Sequence, residues 1–455
     1  MAYLVRTPSS AGNRKTFTIS AWIKPNVQSS DSISMFSAWS ADNNASHFVW
    51  RINSNGTIGW SRWSEDSYST RQLRDTNAWY HCVIAVDTTQ ATASDRVKLY
   101  VNNEQITSFS VGANYPAQNT DLPVNNTNIQ TIGLNNFSSG QNPFKGYMSH
   151  FNLVDGTALT PSAFGEYDAN GVWTINTSPS VTYGTNGFFI LKDGNSVTDQ
   201  SGNGNNWTVA GGTLTNTEDN PSNVFCTYNP LATSSYGSLT HGNLRTIGIN
   251  NAGLASTYGT ISTTSSGKYY WEVYIENYTG TSPFLGIGND DNPNIGRAIN
   301  NTATVAPGES NYVSPSFHIQ NNGQINIAGS VTATYDSYTK GDWISFAVDM
   351  DNGACYLAKN GTWMNSGVPT SGASKTGAIT TWTAGSISGF LAYAAVYFGA
   401  GGVGNNSEAA FNFGNGYYGS VAVASAGTNA SGNGIFEYDV PTGYTALCTK
   451  GLNGE

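Results

Sequence analysis

The sequence predicts an all-β protein made of two tandem antiparallel β-sandwich domains of jelly-roll type. Three observations support this: short period-2 strand patterns along the chain, Asn-Gly pairs suited to hairpins, and no long segment with a 3.6-residue apolar period. Many strands without intervening helices are typical of sandwiches or barrels. A length of 455 residues also favours more than one domain.

The strand patterns place apolar residues at every second position, so that one face of each strand is apolar. Turn residues flank these runs, as expected for strands of an antiparallel sheet. The clearest runs are Phe17, Ile19, Ala21 and Ile23; Val97, Leu99 and Val101; Tyr269, Trp271, Val273 and Ile275; and Ile344, Phe346 and Val348.

Asn-Gly pairs predict several of the connections between strands. Both residues accept the positive φ that the two central positions of a type I′ turn require. We therefore expect type I′ hairpins at four pairs: Asn55-Gly56, Asn322-Gly323, Asn352-Gly353 and Asn360-Gly361.

A polar stretch rich in turn formers, residues 211–221, separates two aromatic-rich blocks. We therefore predict a first domain over residues 1–225 and a second over residues 226–455. The tripeptide Glu-Tyr-Asp occurs near the end of each block, at 166–168 and 437–439, but so short a match does not indicate duplication.

Composition and charge exclude several classes of protein. Charged residues make up 11% of the chain, well below the roughly 25% of an average globular protein. Aromatic residues make up 12%, which argues for folded structure and against disorder. With a net charge of −10 and no stripe of Lys or Arg, the chain is not expected to bind nucleic acid.

Neither a signal peptide nor a membrane segment is expected. The first 20 residues lack a basic region followed by an apolar one. Residues 376–407 are uncharged, but their apolar run, 390–398, is shorter than the ~20 residues that a spanning helix needs. We interpret this run as a buried strand.

Four cysteines occur, and no pair has CxxC spacing. Buried free thiols are the expected state, which would suit assembly in a reducing cytosol. The four residues are Cys82, Cys226, Cys355 and Cys448.

Four segments of the first block, 16–24, 79–87, 98–102 and 144–164, resemble a laminin-G-like or concanavalin-like module. Segments of the second block are similar to a SPRY-type sandwich. These are 269–275, 284–288, 341–353, 359–361 and 411–414.

The joining segments are more specific than either fold. Residues 199–207, 219–231 and 441–448 are similar to segments in large virion proteins of tailed bacteriophages, with marine phages of the cyanophage type the nearest likeness. This resemblance implies a multi-copy virion structural protein, assembled in the host cytoplasm, with other virion proteins as partners. Because the sandwich pattern starts within the first 20 residues, a capsid decoration or tail appendage is expected as much as a tail fibre.

Catalytic patterns are incomplete. Laminarinase-type glycosidases place three acids as E-x-D-x-x-E on a strand. The nearest matches here, Glu166 with Asp168 and Glu437 with Asp439, both lack the third acid. We find no G-x-S-x-G, H-E-x-x-H or Walker A pattern. We therefore predict no enzyme and no catalytic residues, although carboxylates distant in sequence could still meet in space.

Metal and cofactor sites are not predicted either. Asp349, Asp351 and Asn352 offer oxygen ligands for Ca²⁺, yet their pattern is that of a hairpin turn. Asp155-Gly156 and Asp193-Gly194 are interpreted in the same way. The five histidines are scattered, and those in strand-like runs are interpreted as satisfied sheet residues. They are His47, His81, His150, His241 and His318.

Sugar binding is the most plausible site chemistry, because sugars stack their C–H faces on aromatic rings. Trp60 and Trp63 lie in an unusually polar stretch, Gly59–Asp66. Cross-strand packing is the competing interpretation and is favoured, so the ligand-binding residues stay unassigned.

The sequence thus predicts a phage virion component, displayed on the particle and aiding attachment to host-surface glycans. Weak individual sites would suffice there, because many copies raise avidity. The alternatives are a free or cell-surface lectin or adhesin, and a glycoside hydrolase.

Overall fold

The computed structural model describes residues 2–25, 32–41, 43, 46–135, 142–230, 237–248, 254–278, 283–291, 314–397, 407–419 and 421–454. The chain forms two compact units, Met1–Asn216 and Thr217–Glu455. The division at residue 225 stays a prediction. Phe225 itself pairs with Cys448, within the second unit.

The first unit is built of strands, with short 3₁₀ turns at Ala93–Asp95 and Pro161–Ala163. Its strands are β1 (Tyr3–Arg6), β2 (Thr16–Pro25), β3 (Ile33–Trp39), β4 (His47–Ile52), β5 (Thr57–Arg62), β6 (Glu65–Gln72), β7 (Tyr80–Asp87), β8 (Val97–Val101), β9 (Glu104–Ile106), β10 (Phe109–Val111), β11 (Gln130–Ile132), β12 (Gly146–Asp155), β13 (Gly165–Tyr167), β14 (Trp173–Ile175), β15 (Phe188–Ile190) and β16 (Thr208–Ala210).

Two antiparallel sheets enclose the core of the first unit. One has the order β10-β6-β5-β4-β3-β11-β1-β16 and the other β15-β12-β2-β7-β8-β9. Their inner faces meet, as shown by Phe36 of the first sheet, whose ring centre lies 6.5 Å from that of Phe151 of the second. Trp50 and Trp60 pair across β4 and β5 and are fully buried in this core. The first sandwich is confirmed.

A hairpin, β13–β14, lies against the outer face of the six-stranded sheet. Its Trp173 stacks on His81 at 5.9 Å, and His81 stacks on Trp22 at 4.9 Å, so the imidazole lies between two indoles. The Nε1–H of Trp173 donates to Nδ1 of His81 (3.0 Å). His81 is therefore the residue that fastens the hairpin to the sheet.

The loop 199–207 is organised by one carboxylate. Asp199 accepts hydrogen bonds from the amides of Phe189, Ser201 and Asn205 at 2.8–2.9 Å and from the Ser201 hydroxyl at 2.8 Å. The loop ends at Trp207, which is buried in the core. This joining segment therefore has a clear structural role.

We expect Asp199→Asn to lower the free energy of unfolding of the first unit by about 2 kcal/mol, because one amide oxygen cannot accept from all four donors. Chemical denaturation measures this loss. Asn203→Ala, in the same loop, is a weaker perturbation for comparison. Equal stability of Asp199→Asn and the parent protein would contradict the role assigned to the carboxylate.

Among its described residues, the second unit has 3₁₀ turns at Met364–Ser366 and Pro369–Ser374 and a short helix, α1 (Thr449–Asn453). Its strands are β17 (Gly237–Thr240), β18 (Arg245–Gly248), β19 (Leu254–Ser262), β20 (Lys268–Asn277), β21 (Phe284–Asn289), β22 (Phe317–Ile319), β23 (Gln324–Ile327), β24 (Ser330–Thr334), β25 (Trp343–Asp349), β26 (Ala354–Lys359), β27 (Thr362–Trp363), β28 (Thr380–Thr381), β29 (Phe390–Tyr397), β30 (Glu408–Asn412), β31 (Tyr417–Tyr418), β32 (Val421–Ala422) and β33 (Thr445–Ala446).

Two sheets again enclose a core. The larger sheet contains β17-β18-β30-β20-β25-β26-β27, with β28 beside β26 and β33 beside β20, and the smaller has the order β19-β29-β21-β22-β23-β24. Phe346 of the larger sheet stacks on Trp271 at 5.3 Å and lies 6.5 Å from Phe317 of the smaller sheet. The predicted class, two tandem all-β sandwiches, is confirmed.

A segment near the carboxyl end, residues 417–419 and 421–448, covers part of the outer face of the larger sheet; we call it the covering segment. It is fastened by Glu272, a buried carboxylate on β20. The amides of Glu437 and Tyr438 donate to Glu272 at 2.9 Å, and the Tyr418 hydroxyl also donates to it. Tyr270 supplies a fourth donor at 2.9 Å.

All four Asn-Gly pairs connect antiparallel strands, so the predicted hairpins are confirmed. The predicted turn type is correct only for Asn360-Gly361, where φ is 47° and 78°. At the other three pairs glycine alone has positive φ. Asn55 and Asn322 instead accept, on the side-chain oxygen, the amide two residues on, which makes an Asx turn.

Candidate functional site

Strands β5 and β6 of the eight-stranded sheet are joined by a two-residue turn. Trp63 occupies this turn with φ of 41° and 41% of its surface exposed. A bulky residue in the left-handed region carries strain of about 1–3 kcal/mol, and strained residues concentrate at functional positions. Trp63 is therefore an indole held toward solvent where glycine would fit the backbone better.

His47 supports Trp63 from the neighbouring strand. The Trp63 amide donates to Nδ1 of His47 at 2.8 Å, and the two rings meet edge to face at 6.4 Å. His47 is buried, and its Nε2 lies 3.5 Å from Oδ1 of Asn135. Because Nδ1 accepts, Nε2 carries the proton, and the neutral imidazole fixes the direction of the turn.

Two arginines, on β4 and at the end of β5, have carboxylate partners. Arg51 lies 3.3 Å from Asp66 and 5.2 Å from the centre of the Tyr68 ring, while Arg62 pairs with Glu65 across the turn. Burial lowers the pKa of both guanidiniums, and the neighbouring carboxylates partly offset that effect. Arg51 and Arg62 therefore both have carboxylate partners, so neither is a free cation that would select an acidic ligand.

The structure separates the two tryptophans that the sequence analysis grouped. Trp60 is fully buried and packs on Phe109 at 5.5 Å and Tyr115 at 5.8 Å. Trp63 is exposed, so cross-strand packing explains only Trp60. His47 was missed, although its register across the Asn55-Gly56 hairpin places it beside the end of β5.

The two pairs of acids considered for glycoside hydrolysis lie in different units, and Glu166 is part of strand β13. Asp168 accepts from the amides of Asn170 and Val172 at 2.9 and 2.8 Å. Asp439 accepts from the amide and hydroxyl of Thr428, and these two bonds lower its pKa. Neither pair of acids, Glu166 with Asp168 or Glu437 with Asp439, has a third acid at the position that the E-x-D-x-x-E pattern requires.

The oxygen atoms considered for Ca²⁺ are directed at nitrogen donors. Asp349 accepts from Asn352 and from Nζ of Lys268 (2.9 Å), and Asp351 accepts from the Gly267 amide (2.7 Å). Asp155 likewise accepts from the amides of Asn13 and Asn186. Within the described ranges, no cluster of three His, Cys, Asp or Glu is arranged to hold a metal.

Two sheet histidines have structural surroundings. Burial lowers the pKa of His81 to about 3. It lowers the pKa of His150, which bonds Ser149 at 2.7 Å, to about 4. The four cysteines are buried free thiols, and burial raises the pKa of Cys82 and Cys355 far above the usual value.

The uncharged stretch considered for a membrane contains strand β29, whose side chains from Phe390 to Val396 are largely buried. Residues 398–406 lie outside the described part of the chain, as does Leu231 of a joining segment. Among the described residues, no helix has the length and apolar character needed to cross a bilayer.

Comparison with family models agrees with both folds. Residues 3–164 match the model of the concanavalin A-like lectin/glucanases superfamily, and residues 268–414 match the SPRY domain model. No curated protein matches the chain.

Solved structures show weaker likenesses. The SPRY domain of human HERC1 is 15% identical, with 40% of this chain covering 96% of that domain at a TM-score of 0.30. A SAP-like pentraxin from Limulus polyphemus is 16% identical, with coverage of 35% and 72% and a TM-score of 0.27. A Bacteroides ovatus protein, named for carbohydrate binding, is 18% identical, with coverage of 47% and 57% and a TM-score of 0.32.

These TM-scores are too low to support any argument about function, so only the two family models bear on it. The chain therefore carries a concanavalin A-like domain and a SPRY domain, and this pair of domains fits a binding or adhesin role.

Proposed function

We propose that this protein is a displayed component of a tailed-bacteriophage particle and that it binds uncharged host-surface glycans through Trp63. The observation that carries the binding role is the exposed, strained indole of Trp63 in a unit that matches a lectin-type family model. The three joining segments support the virion role, by their likeness to segments of phage virion proteins.

Trp63 has the properties of a sugar-stacking ring. An exposed indole presents a flat apolar face to the C–H groups of a pyranose, and adjacent polar side chains pair with its hydroxyls. His47 and the Arg62–Glu65 pair hold the turn in place. A rigid platform loses little entropy when it binds, which favours even a small ligand.

Charge favours a neutral glycan over an acidic one. The guanidiniums of Arg51 and Arg62 already have carboxylate partners, and the chain carries a net charge of −10. A polyanionic glycan would meet repulsion without a compensating cation. Tens of copies on one particle would then raise weak individual affinities into stable attachment.

Binding without catalysis is part of this proposal. The two pairs of acids that resemble a glycosidase pattern lie in different units, and Asp168 and Asp439 accept hydrogen bonds from backbone amides. Release of reducing ends from a host polysaccharide by the pure protein would favour the glycoside hydrolase alternative.

Replacing Trp63 with alanine should weaken glycan binding by about two- to twelvefold, since aromatic stacking contributes on the order of 0.5–1.5 kcal/mol. The full-length protein, made multivalent on beads, is applied to an array of neutral and acidic glycans. Trp63→Gly should show the same loss with unchanged or higher stability, because glycine relieves the positive φ.

Tyr167→Ala is the matched control, because it removes another exposed aromatic ring of the same unit. Equal binding by Trp63→Ala and the parent protein would contradict the binding site. Binding only to acidic glycans would contradict the ligand class.

The virion role is tested separately on particles purified from infected cells. Mass spectrometry should find the protein in stoichiometric amounts, and immunogold labelling should place it on the head or the tail. Its absence from washed particles would instead favour the free or cell-surface lectin.

A further inference from the structure

We propose a second glycan-binding platform, in the SPRY unit, formed by Tyr274, Trp343 and Tyr438. This platform would bind one pyranose ring of an uncharged glycan. It is separate from Trp63 and is argued from different observations.

The platform lies on the outer face of the larger sheet. Tyr274 and Trp343 are directly paired across β20 and β25, with ring centres 4.5 Å apart. Their neighbours Val273 and Ile344 lie in the core, so alternation places the two rings outside. Tyr438 joins them from the covering segment, edge to face with Trp343 at 6.2 Å. All three rings are partly exposed.

The covering segment leaves the platform partly exposed, although its Tyr418 packs on Tyr274 at 6.1 Å and on Trp343 at 5.9 Å. Tyr270 and Tyr356 are fully buried, and Tyr270 meets Phe436 of the covering segment at 5.0 Å. Tyr274, four residues after Tyr270 on β20, stays half-buried. The platform is therefore the partly exposed end of an aromatic face whose other residues are buried.

The hydroxyl groups distinguish the platform from the packed tyrosines around it. Tyr270 and Tyr418 donate to Glu272, and Tyr444 donates to the carbonyl of Pro369. Tyr274 and Tyr438 are different: neither hydroxyl bonds to a protein atom in the part of the chain that is described. Each can therefore donate to and accept from a ligand.

Ion pairs flank the platform on both sides. Arg245 pairs with Glu408 at 2.7 Å and also with Glu276. On the other side, Lys359 lies 3.2 Å from Asp342. Burial alone would raise the pKa of Asp342, but bonds from Asn360, Thr339 and Lys359 lower it. Both cations therefore have carboxylate partners, and because Arg245 is shared by two of them the flanking groups carry one net negative charge, which disfavours an acidic ligand.

A pyranose fits these groups better than a proline-rich peptide does. Both ligands stack on aromatic rings, but a proline-rich stretch offers the two phenols only carbonyl acceptors, whereas sugar hydroxyls can both donate to them and accept from them. Neighbouring sugar hydroxyls can use both phenol groups while the ring lies against Trp343. The free hydroxyl groups therefore favour the sugar.

The test uses full-length Trp63→Ala protein, so that the first site is removed. Its binding to cellohexaose, laminarihexaose, mannohexaose and chitohexaose is measured and compared with that of Trp63→Ala/Tyr274→Phe/Tyr438→Phe. The two phenylalanines keep the rings and remove only the hydroxyls. Trp63→Ala/Tyr167→Phe is the control, because it removes a hydroxyl far from the platform in sequence and in the other unit.

We expect Trp63→Ala protein to retain weak binding to at least one hexaose. The triple variant should lose about tenfold or more in affinity, at an unchanged unfolding temperature, and the control should not. No binding by Trp63→Ala, or equal binding by the triple variant, would overturn the platform. Binding of a proline-rich peptide in place of every hexaose would overturn the ligand class.

The two proposals fail separately. The step from parent to Trp63→Ala tests the first site alone, and the step from Trp63→Ala to the triple variant tests the second.

Discussion

Glu272→Gln should lower the free energy of unfolding of the second unit by about 3–5 kcal/mol. The reason is that the substitution removes a buried carboxylate that accepts hydrogen bonds from four donors. Glu272 is fully buried and accepts from the amides of Glu437 and Tyr438 and from two tyrosine hydroxyls. Glutamine has one carbonyl oxygen, so its NH₂ group would face donors instead of accepting from them.

Urea denaturation followed by tryptophan fluorescence measures this loss, and hydrogen exchange locates it. The amides of Glu437 and Tyr438 should exchange faster, since they lose their acceptor. Glu276→Gln is the matched control. It removes the charge of a partly exposed partner of Arg245 and should cost under about 1 kcal/mol. A loss for Glu272→Gln no larger than that would contradict the fastening role.

Acid should destabilise the first unit through His81, by up to about 5 kcal/mol between pH 6.5 and pH 3. Burial lowers the pKa of His81 from 6.5 to about 3, so the folded state holds the neutral ring. Its contribution to stability is complete above pH 6.5, where the unfolded chain is also neutral. It falls as the pH drops, because the unfolded chain takes up a proton that the folded chain resists. The difference between the pKa of His81 in the unfolded chain and in the folded chain, at about 1.4 kcal/mol per unit, gives the upper limit of about 5 kcal/mol.

The structural reason is the position of the ring. Nδ1 accepts the indole N–H of Trp173, and a proton on Nδ1 would oppose that donor. Nε2 bonds the Ser20 hydroxyl at 2.9 Å, so neither nitrogen reaches water. Protonation should therefore release the hairpin that carries Trp173.

His81→Phe isolates this effect, because phenylalanine keeps a ring between Trp22 and Trp173 and does not titrate. The parent protein should have the larger free energy of unfolding at pH 7, and the difference from His81→Phe should shrink as the pH falls to 3. His150 and the carboxylates titrate in both proteins, so their contributions cancel in the difference. A difference in unfolding free energy that stays constant with pH would contradict the assignment.

Short-range patterns were enough to predict the strands and hairpins. Alternation in Tyr269, Trp271 and Val273 identifies β20, because an antiparallel strand with one buried face repeats every two residues. Turn type was harder to predict at Asn55 and Asn322, where the asparagine side chain takes over the role that positive φ would have had.

Contacts between residues that lie far apart in the sequence could not be predicted. Glu272 lies 165 residues from Glu437, and Trp173 lies 92 residues from His81. The Glu-Tyr-Asp tripeptide at 437–439 was considered for catalysis, yet its backbone serves Glu272. Nothing in the local sequence distinguishes an acid that catalyses from one that caps a turn.

The sequence by itself determined that this protein is all-β, that it has two sandwiches and which families those sandwiches resemble, because alternation and motif spacing are local properties. Only the tertiary structure decided that Trp60 is core while Trp63 is exposed, and that the hydroxyls of Tyr274 and Tyr438, beside Trp343, bond to no protein atom among the described residues. The physical reason is that exposure depends on which distant segment covers a face, and the composition of the face does not reveal that.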